Sequence, residues 1–551
     1  MISKPISTDG CAEYSITIPN QGTLTGVTLK DPLSNTETVH KFAAVPYAQP
    51  CIGFNRFGLP KELPADYDYT GEYKEFGLRC PQPFFESSVL NYPREPSDEA
   101  IQYNNIWIPS DEKLKPKDGW PVLIYIHGGW LQYGSPNNSM FDIVELMGDK
   151  ELLKKFILVT PGYRLNIFGF LSCKELLEED PNCSNMGFWD QRLAIEWTYK
   201  NIKHFGGNPE KMTVSGLSAG SYSLFFQLAY EIYNPKVTQI IKQCIFFSNM
   251  ILAQPKLIEE CQVQFEEVVK KFGIQKDLSS ADKLKALRNL KHEEITELIL
   301  DLKLHTFRAV SDDKFVSKSI LQDITSGKFG ALLAKKGVRI MQGETNNEGY
   351  LYSFLDTPKS LDQLAVEIEN YYPKSIVPTI LELYDTKSVD ESAENSLEIL
   401  QKLFGDIIGD GQIYVSTRGF AKNIIKGGFP VNDYFRYRIS FRAKWMDDYL
   451  SKEAKVPHAG DTSIWFYTIR NGYTATETAY LKKWLSPFTE FVHFENEISD
   501  WERTDLKKLR YFAEDGSIVY TDDPVWDWGI KVSSAVYDAQ LKKNYSTCSL
   551  A

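Results

Sequence analysis

Residues 211–230 read KMTVSGLSAGSYSLFFQLAY. The apolar residues around Val214 predict a short buried strand, and the run from Ser221 to Tyr230 has helical spacing. Between them lies Gly216-Leu217-Ser218-Ala219-Gly220, a G-x-S-x-G pentapeptide. A serine between two glycines at a strand-to-helix turn is the pattern of a nucleophile elbow. The turn is so tight that flanking side chains would clash, and glycine on each side relieves the clash. The hydroxyl then stands at the end of a sheet and at the N-terminus of a helix. Glycine, serine and alanine are common, so the pentapeptide acquires meaning only from the rest of the chain.

The chain around it alternates strands with helices. Buried-strand signals fall at 121–126 (PVLIYI), 156–160 (FILVT), 211–215, 338–341 and 434–441 (YFRYRISF), after a β-rich entrance at 14–48. Helical stretches lie between them, at 188–201 and 261–271 among others. This order predicts an α/β fold with a mainly parallel sheet covered on both faces. Two long helical stretches, about 255–335 and 358–425, read as a cap over the C-terminal edge of the sheet. No repeat, low-complexity tract or long linker interrupts residues 1–551, so one large domain is expected.

Composition narrows the function. Hydrophobic residues make up 43% of 551, enough for a large core. The net charge is −12 and the basic residues are scattered, which argues against nucleic-acid binding. No run reaches the roughly 18 apolar residues of a membrane span. The first residues, MISKPISTDGCAEYSITIPNQG, lack the apolar core of a secretory signal. The eight cysteines are Cys11, Cys51, Cys80, Cys173, Cys183, Cys244, Cys261 and Cys548, and none forms a C-x-x-C pair. No zinc or redox motif is therefore expected.

A strand ends in His127-Gly128-Gly129-Trp130, within LIYIHGGWLQYGS (123–135). Adjacent glycines let consecutive N–H groups point at one spot, as an oxyanion hole requires. An ordinary glycine turn after a strand reads the same way, and the elbow some 90 residues later favours the functional reading. The expected donors are Gly129, Trp130 and Ala219, the residue after the nucleophile.

Ser218 needs a histidine to take its proton and a carboxylate to orient that histidine. In elbow hydrolases the chain order is serine, acid, histidine. Of the histidines in the last third of the chain, His493 lies in a helix-like segment, EFVHFENEI. His458 lies in a loop, KVPHAGDTS, downstream of a strand, where a base belongs. The acid lies between, in VRIMQGETNNEG (338–349), which offers Glu344 and Glu348.

These segments resemble the type-B carboxylesterase/lipase family, which includes cholinesterases and fungal esterases and lipases, from about residue 20 to the C-terminus. The stretches that carry the resemblance are FAAVPYAQPCIGFNRF (42–57), HGGWLQYGS (127–135), GYRLNIFGFL (162–171), SNMGFWDQRLAIEW (184–197), GETNNEG (343–349) and VPHAGD (456–461). The resemblance implies an α/β-hydrolase fold and a Ser218–Glu348–His458 triad, so that Glu348 is the acid. It also implies ion pairs of Arg56 with Glu99 and Arg164 with Asp190, a supporting role for Ser248 beside the acid loop, and no metal or cofactor.

The departures bear on substrate. Trp130 stands where the family has a third oxyanion glycine, which places an indole beside the substrate pocket. Leu217 stands where many relatives have a glutamate before the nucleophile. No tryptophan lies between Cys80 and Glu99, where cholinesterases place the one that stacks on choline, so choline recognition by cation–π contact is not expected. Trp130 and Leu217 together imply a neutral, fairly apolar small-molecule ester. Cys80 matches one partner of the family's first disulfide, but the other falls at Ile101, and the second disulfide has no cysteines. With no signal peptide visible, this implies an intracellular, cytoplasmic enzyme most like the fungal members. Two other readings share the motifs: an acyltransferase using the same acyl-enzyme, and a catalytically silent interaction protein of this family.

Overall fold

The computed structural model describes residues 6–84, 95–355 and 357–548, with side chains described as far as 542. Twelve strands form one continuous path: β1 (Glu13–Ile18), β2 (Gly22–Lys30), β3 (Glu37–Pro46), β4 (Tyr103–Pro109), β5 (Trp120–Ile126), β6 (Ile157–Pro161), β7 (Gly207–Leu217), β8 (Gln243–Phe247), β9 (Arg339–Thr345), β10 (Tyr434–Ile439), β11 (Lys508–Phe512) and β12 (Ile518–Asp522). Their order is β1-β2-β3-β4-β6-β5-β7-β8-β9-β10-β11-β12, and a two-residue strand, Gly71–Glu72, pairs with β2 off this path.

The middle of the sheet, from β6 to β11, is parallel. Both ends are antiparallel. The sequence explains the division. β5 (WPVLIYI) and β8 (QCIFF) are buried along their whole length, as strands covered on both faces must be. In β1 burial alternates, as for a strand with one face in water. One apolar cluster joins Ile124, Val214 and Phe246 to the helices Met186–Asn201 and Ala219–Tyr233 on one face. A second joins Tyr125, Ile245 and Phe247 to the helix Ala475–Val492 on the other.

The predicted strands are all present, with shifted ends. Four were not predicted: β4, β8, β11 and β12. β4 opens YNNIW, and its two asparagines obscure the strand pattern. Both are nevertheless buried, and Asn105 is satisfied by accepting from Ala44 N–H at 2.9 Å and donating to the Pro136 carbonyl at 3.2 Å. β11 breaks its apolar run with Lys508 and the fully buried Arg510, and β12 is an edge strand open to water.

The parallel register brings the ends of successive strands to one edge. β5 leads into His127, β7 into Ser218, β8 into Ser248, β9 into Glu348 and β10 into the loop of His458. Between β8 and β9 run the helices Ile258–Lys271, Ser280–Arg288, His292–Ile299, Ile320–Ser326 and Lys328–Lys336. Between β9 and β10 run Leu361–Tyr371, Val377–Leu383 and a long stretch from Ser396 to Lys426, interrupted by a π-helical turn at Asp410–Tyr414. These helices supply a third apolar cluster, which contains Trp130 and Tyr352.

Buried ion pairs tie the connections to the sheet. Arg164 donates from Nε and Nη2 to the two Asp190 oxygens, each at 2.8 Å, and its own N–H adds a third bond at 2.9 Å. Arg56 makes a two-pronged pair with Glu99. Asp190→Asn leaves a buried guanidinium without its countercharge, a loss of about 3–5 kcal/mol. The expected outcome is a lowered urea midpoint with unchanged slope in equilibrium unfolding; a midpoint equal to that of the wild type would contradict it.

Candidate active site

Ser218 caps the helix Ala219–Tyr233 with φ 56° and ψ −121°, outside the regions favoured by L-residues. Its N–H donates to the Phe247 carbonyl at 2.8 Å, which fixes the turn to the end of β8. The flanking glycines are sterically required. A Cβ on Gly220 would lie 2.0 Å from the Ile126 carbonyl oxygen, and one on Gly216 would lie 2.3 Å from the Gly220 carbonyl.

The His127–Trp130 turn is pressed against this elbow. A Cβ on Gly128 would meet the Leu217 carbonyl at 2.7 Å and the Ser218 Cβ at 3.0 Å. Gly129 and Trp130 follow with φ of 115° and 56°. The N–H groups of Gly129, Trp130 and Ala219 make no hydrogen bond among the described residues. Ala219 is the first residue of its helix, where N–H groups have no intrahelical acceptor. Tyr163 holds the turn from beneath: its hydroxyl donates to the His127 carbonyl at 2.8 Å, and its ring stacks on the His127 imidazole at 4.4 Å. Burial lowers the His127 imidazole to about 4, against a weaker opposing effect of its bond to the Gly128 carbonyl, so it is neutral near pH 7.

Glu348 and His458 meet across two loops. His458 Nδ1 lies 2.6 Å from Glu348 Oε2. Glu348 Oε1 accepts from Ser248 Oγ and from Thr345 N–H, both at 2.7 Å. Burial acts to raise the Glu348 carboxyl, but the His458 charge and the bonds from His458, Ser248 and Thr345 outweigh it and hold the group below its ordinary range. An ionised carboxylate only accepts, so Nδ1 carries a proton toward it. Nε2 is buried and has no partner among the described residues. The two loops are laced together: Asn347 N–H donates to the Val456 carbonyl and Val456 N–H to Asn346 Oδ1, each at 3.1 Å.

The other candidates have different surroundings. Glu344 is held by Arg418 from two guanidinium nitrogens, with Arg438 beside it at 3.6 Å. His493 ends the helix Ala475–Val492 and bonds through Nε2 to the Lys155 carbonyl at 2.7 Å. Trp130 packs edge-on against Tyr133 and Tyr352 in the third cluster. Leu217 is half-buried and packs against the second cluster, on the opposite face from Val214. Among the described residues no group of three or more His, Cys, Asp or Glu side chains could hold a metal. The seven cysteines with described side chains are free thiols; that of Cys548 lies outside the described side chains.

Three neighbours of the triad have little sequence signal. Tyr352 is fully buried, its hydroxyl faces Ser218, and its ring lies 5.3 Å from that of His458. Tyr414, in the π-helical turn, accepts from Glu348 N–H at 3.1 Å and donates to the Thr345 carbonyl at 2.9 Å. Both belong to helices far along the chain from the elbow, so only the fold brings them to it. Asp461 closes the VPHAGD segment. It accepts from Trp465 Nε1 at 2.8 Å, and its Oδ1 is buried without a partner among the described residues.

Burial, and next the Glu348 charge, push the Asp461 carboxyl up to about 6. An acid raised in this way holds its proton more tightly in the folded chain than in the unfolded one. Its effect on stability is absent below about pH 4, grows less favourable as pH rises to about 6, and is level above that. Asp461→Asn removes this slope. The urea midpoint of the wild type should fall relative to that of the variant between those pH values, and parallel midpoints across the range would refute the assignment.

The Carboxylesterase family profile matches residues 12–522. An uncharacterized esterase/lipase of Schizosaccharomyces pombe is 44% identical over 531 residues, covering 96% of this chain and 97% of its own. A carboxylic ester hydrolase of Gibberella moniliformis is 33% identical, covering 94% of this chain and 95% of its own. Among solved structures, a PNB esterase superposes with a TM-score of 0.71 at 22% identity, covering 95% of this chain and 100% of its own; it shares the α/β-hydrolase fold. With a family match across nearly the whole chain and relatives of the same length, this protein is a carboxylesterase-family member and a carboxylic ester hydrolase.

Proposed function

We propose that the chain hydrolyses carboxylic esters by two-step acyl transfer through Ser218, His458 and Glu348. The observation that carries this reading is the continuous relay from Ser248 and Thr345 through Glu348 to His458, with Tyr352 set against both His458 and the strained serine at the head of a helix. Nε2 of His458 takes the Ser218 proton as the oxygen attacks the ester carbonyl. The N–H groups of Gly129, Trp130 and Ala219 receive the developing oxyanion; one such donor is worth about 100- to 1000-fold in rate. His458 then returns the proton to the leaving alcohol, and Glu348 holds the imidazole in the required tautomer. In the second step His458 draws a proton from water, which attacks the acyl-enzyme and frees the acid.

The substrate in this reading is a small ester, neutral and fairly apolar where it meets Trp130, with Leu217 adding no negative potential beside the base. The chain works as a single hydrolase domain, 1–551, with the helical stretches about 255–335 and 358–425 as its cap. We infer an intracellular, cytoplasmic location from the free thiols. No helix among the described residues is long and apolar enough to cross a membrane. No metal or cofactor enters any step.

Ser218→Ala is expected to lower kcat for short-chain aryl esters by about 10⁴-fold or more, with an unchanged urea midpoint. A fluorophosphonate probe should label the wild type and not the variant. Undiminished hydrolysis by the variant would remove Ser218 from the mechanism. Absence of both labelling and hydrolysis in the wild type would favour a silent interaction protein. Product formed only with an added alcohol or amine acceptor would favour an acyltransferase.

A further inference from the structure

A cavity opens at Tyr222, one turn along the helix that Ser218 caps, and its chemistry differs from that of Trp130. It is lined by Tyr222, Lys256, Arg308, Tyr371, Tyr372 and Gln412, among others, and no Asp or Glu is among its walls. The space open to the centre of a water-sized sphere is about 40 Å³. One water requires about 10–15 Å³ on that measure, so the cavity suits a small terminal group and excludes a ring system.

Arg308 is built into it. Its guanidinium lies over the Tyr222 ring and over the Tyr371 ring, 5.5 Å from each centroid. Nη2 reaches Gln412 Oε1 at 3.5 Å, a long contact, and Nη1 is buried with no partner among the described residues. Lys256 adds a second cation. Its Nζ donates to the Glu369 main-chain carbonyl at 2.8 Å. A half-buried guanidinium with one buried, unused donor, set against two rings and joined by an ammonium without an acid in the cavity walls, is the constellation that holds a carboxylate.

The cavity is coupled to the reacting centre. Tyr222 lies one turn beyond Ser218, and its N–H bonds to the Ser218 carbonyl at 3.0 Å. Phe307, next to Arg308, is clamped by the Gln132 side chain through its N–H at 2.9 Å and its carbonyl at 2.7 Å. The same Gln132 Nε2 donates to the Trp130 carbonyl at 3.0 Å. Tyr372 packs in one cluster with Trp130 and Tyr352.

We propose that Arg308, assisted by Lys256, binds a free carboxylate at the end of the substrate remote from the scissile bond, so that the preferred substrates are acidic esters. The inference rests on Ser218 ester hydrolysis and amends its substrate: apolar around the reacting carbonyl, anionic at one terminus. The seat accepts a carboxylate on the acyl or the alcohol portion, and the experiment separates the two.

The test is a series of linear aryl half-esters of dicarboxylic acids of increasing length, each against its neutral methyl-capped counterpart. A parallel series carries the acid on the alcohol portion. Wild type is expected to prefer the acid over its neutral counterpart by about 10- to 100-fold in kcat/KM at one length in one series. Arg308→Gln should abolish that preference, read as the ratio of acid to neutral ester within the variant, with an unchanged urea midpoint showing that it is folded; Arg308→Lys should retain part of it. Neutral esters preferred at every length in both series would overturn the proposal, as would a preference that survives Arg308→Gln. If wild type hydrolyses none of the esters, acid or neutral, the Ser218 reading fails with it; if only the acid preference is missing, the anion seat alone fails.

Discussion

The contact on which the rest of the site depends is the one between the elbow and the end of β5. Gly220 sits so close to the Ile126 carbonyl that no other residue fits, and Gly128 is pressed, less tightly, against Leu217 and Ser218. Two adjacent parallel strands therefore end at the same depth with their backbones touching. The strained φ of Ser218 is held by that contact from one side and by its bond to Phe247 from the other. Free N–H groups of the His127–Trp130 turn and of the helix start then face the Ser218 turn as a consequence of strand register, with Tyr163 bracing the turn from beneath.

The acid loop shows how the same residue type serves two purposes four positions apart. Glu344 meets a guanidinium that is itself shared with Asp523, and Arg436 closes the group from β10. That carboxylate is neutralised and static. Glu348 meets no arginine or lysine. A hydroxyl and an amide N–H satisfy one oxygen, and the other is left to the imidazole. Dipoles stabilise the carboxylate without cancelling its charge, so the full charge acts on His458. The buried ion pairs around it keep β9 and β10 rigid enough for that hydrogen bond to persist.

The sequence was most legible where chemistry requires a particular residue at a particular spacing. The elbow glycines, the paired glycines after β5 and the histidine loop after β10 all announce backbone geometry that few other sequences satisfy. The central strands were legible because burial on both faces writes a continuous apolar run. β4 was not, because its two buried asparagines break the apolar run, and Asn105 is satisfied by residues more than 25 positions away. Choosing between Glu344 and Glu348 needed the family resemblance, since the arginine that occupies Glu344 lies 74 residues downstream. Tyr352, Tyr414 and Arg308 were silent for the same reason: a tyrosine or arginine is unremarkable until the fold sets it against Ser218, Glu348 or Tyr222.

Unpartnered polar atoms bring these observations together. Buried donors and acceptors normally find partners, and those that do not call for an explanation. Five of them surround this site: His458 Nε2, Tyr352 Oη, Trp130 Nε1, Asp461 Oδ1 and Arg308 Nη1. Each could have been satisfied by a small change in a neighbouring loop, and each carries a desolvation cost in its present state. These five lie where the strand ends and the two long helical stretches converge. The rigid sheet beneath, with its fully buried β5 and β8, supplies the stability that tolerates the deficit. If an ester binds as proposed, it supplies the missing partners, and Trp130 on one side and Arg308 on the other shape its seat.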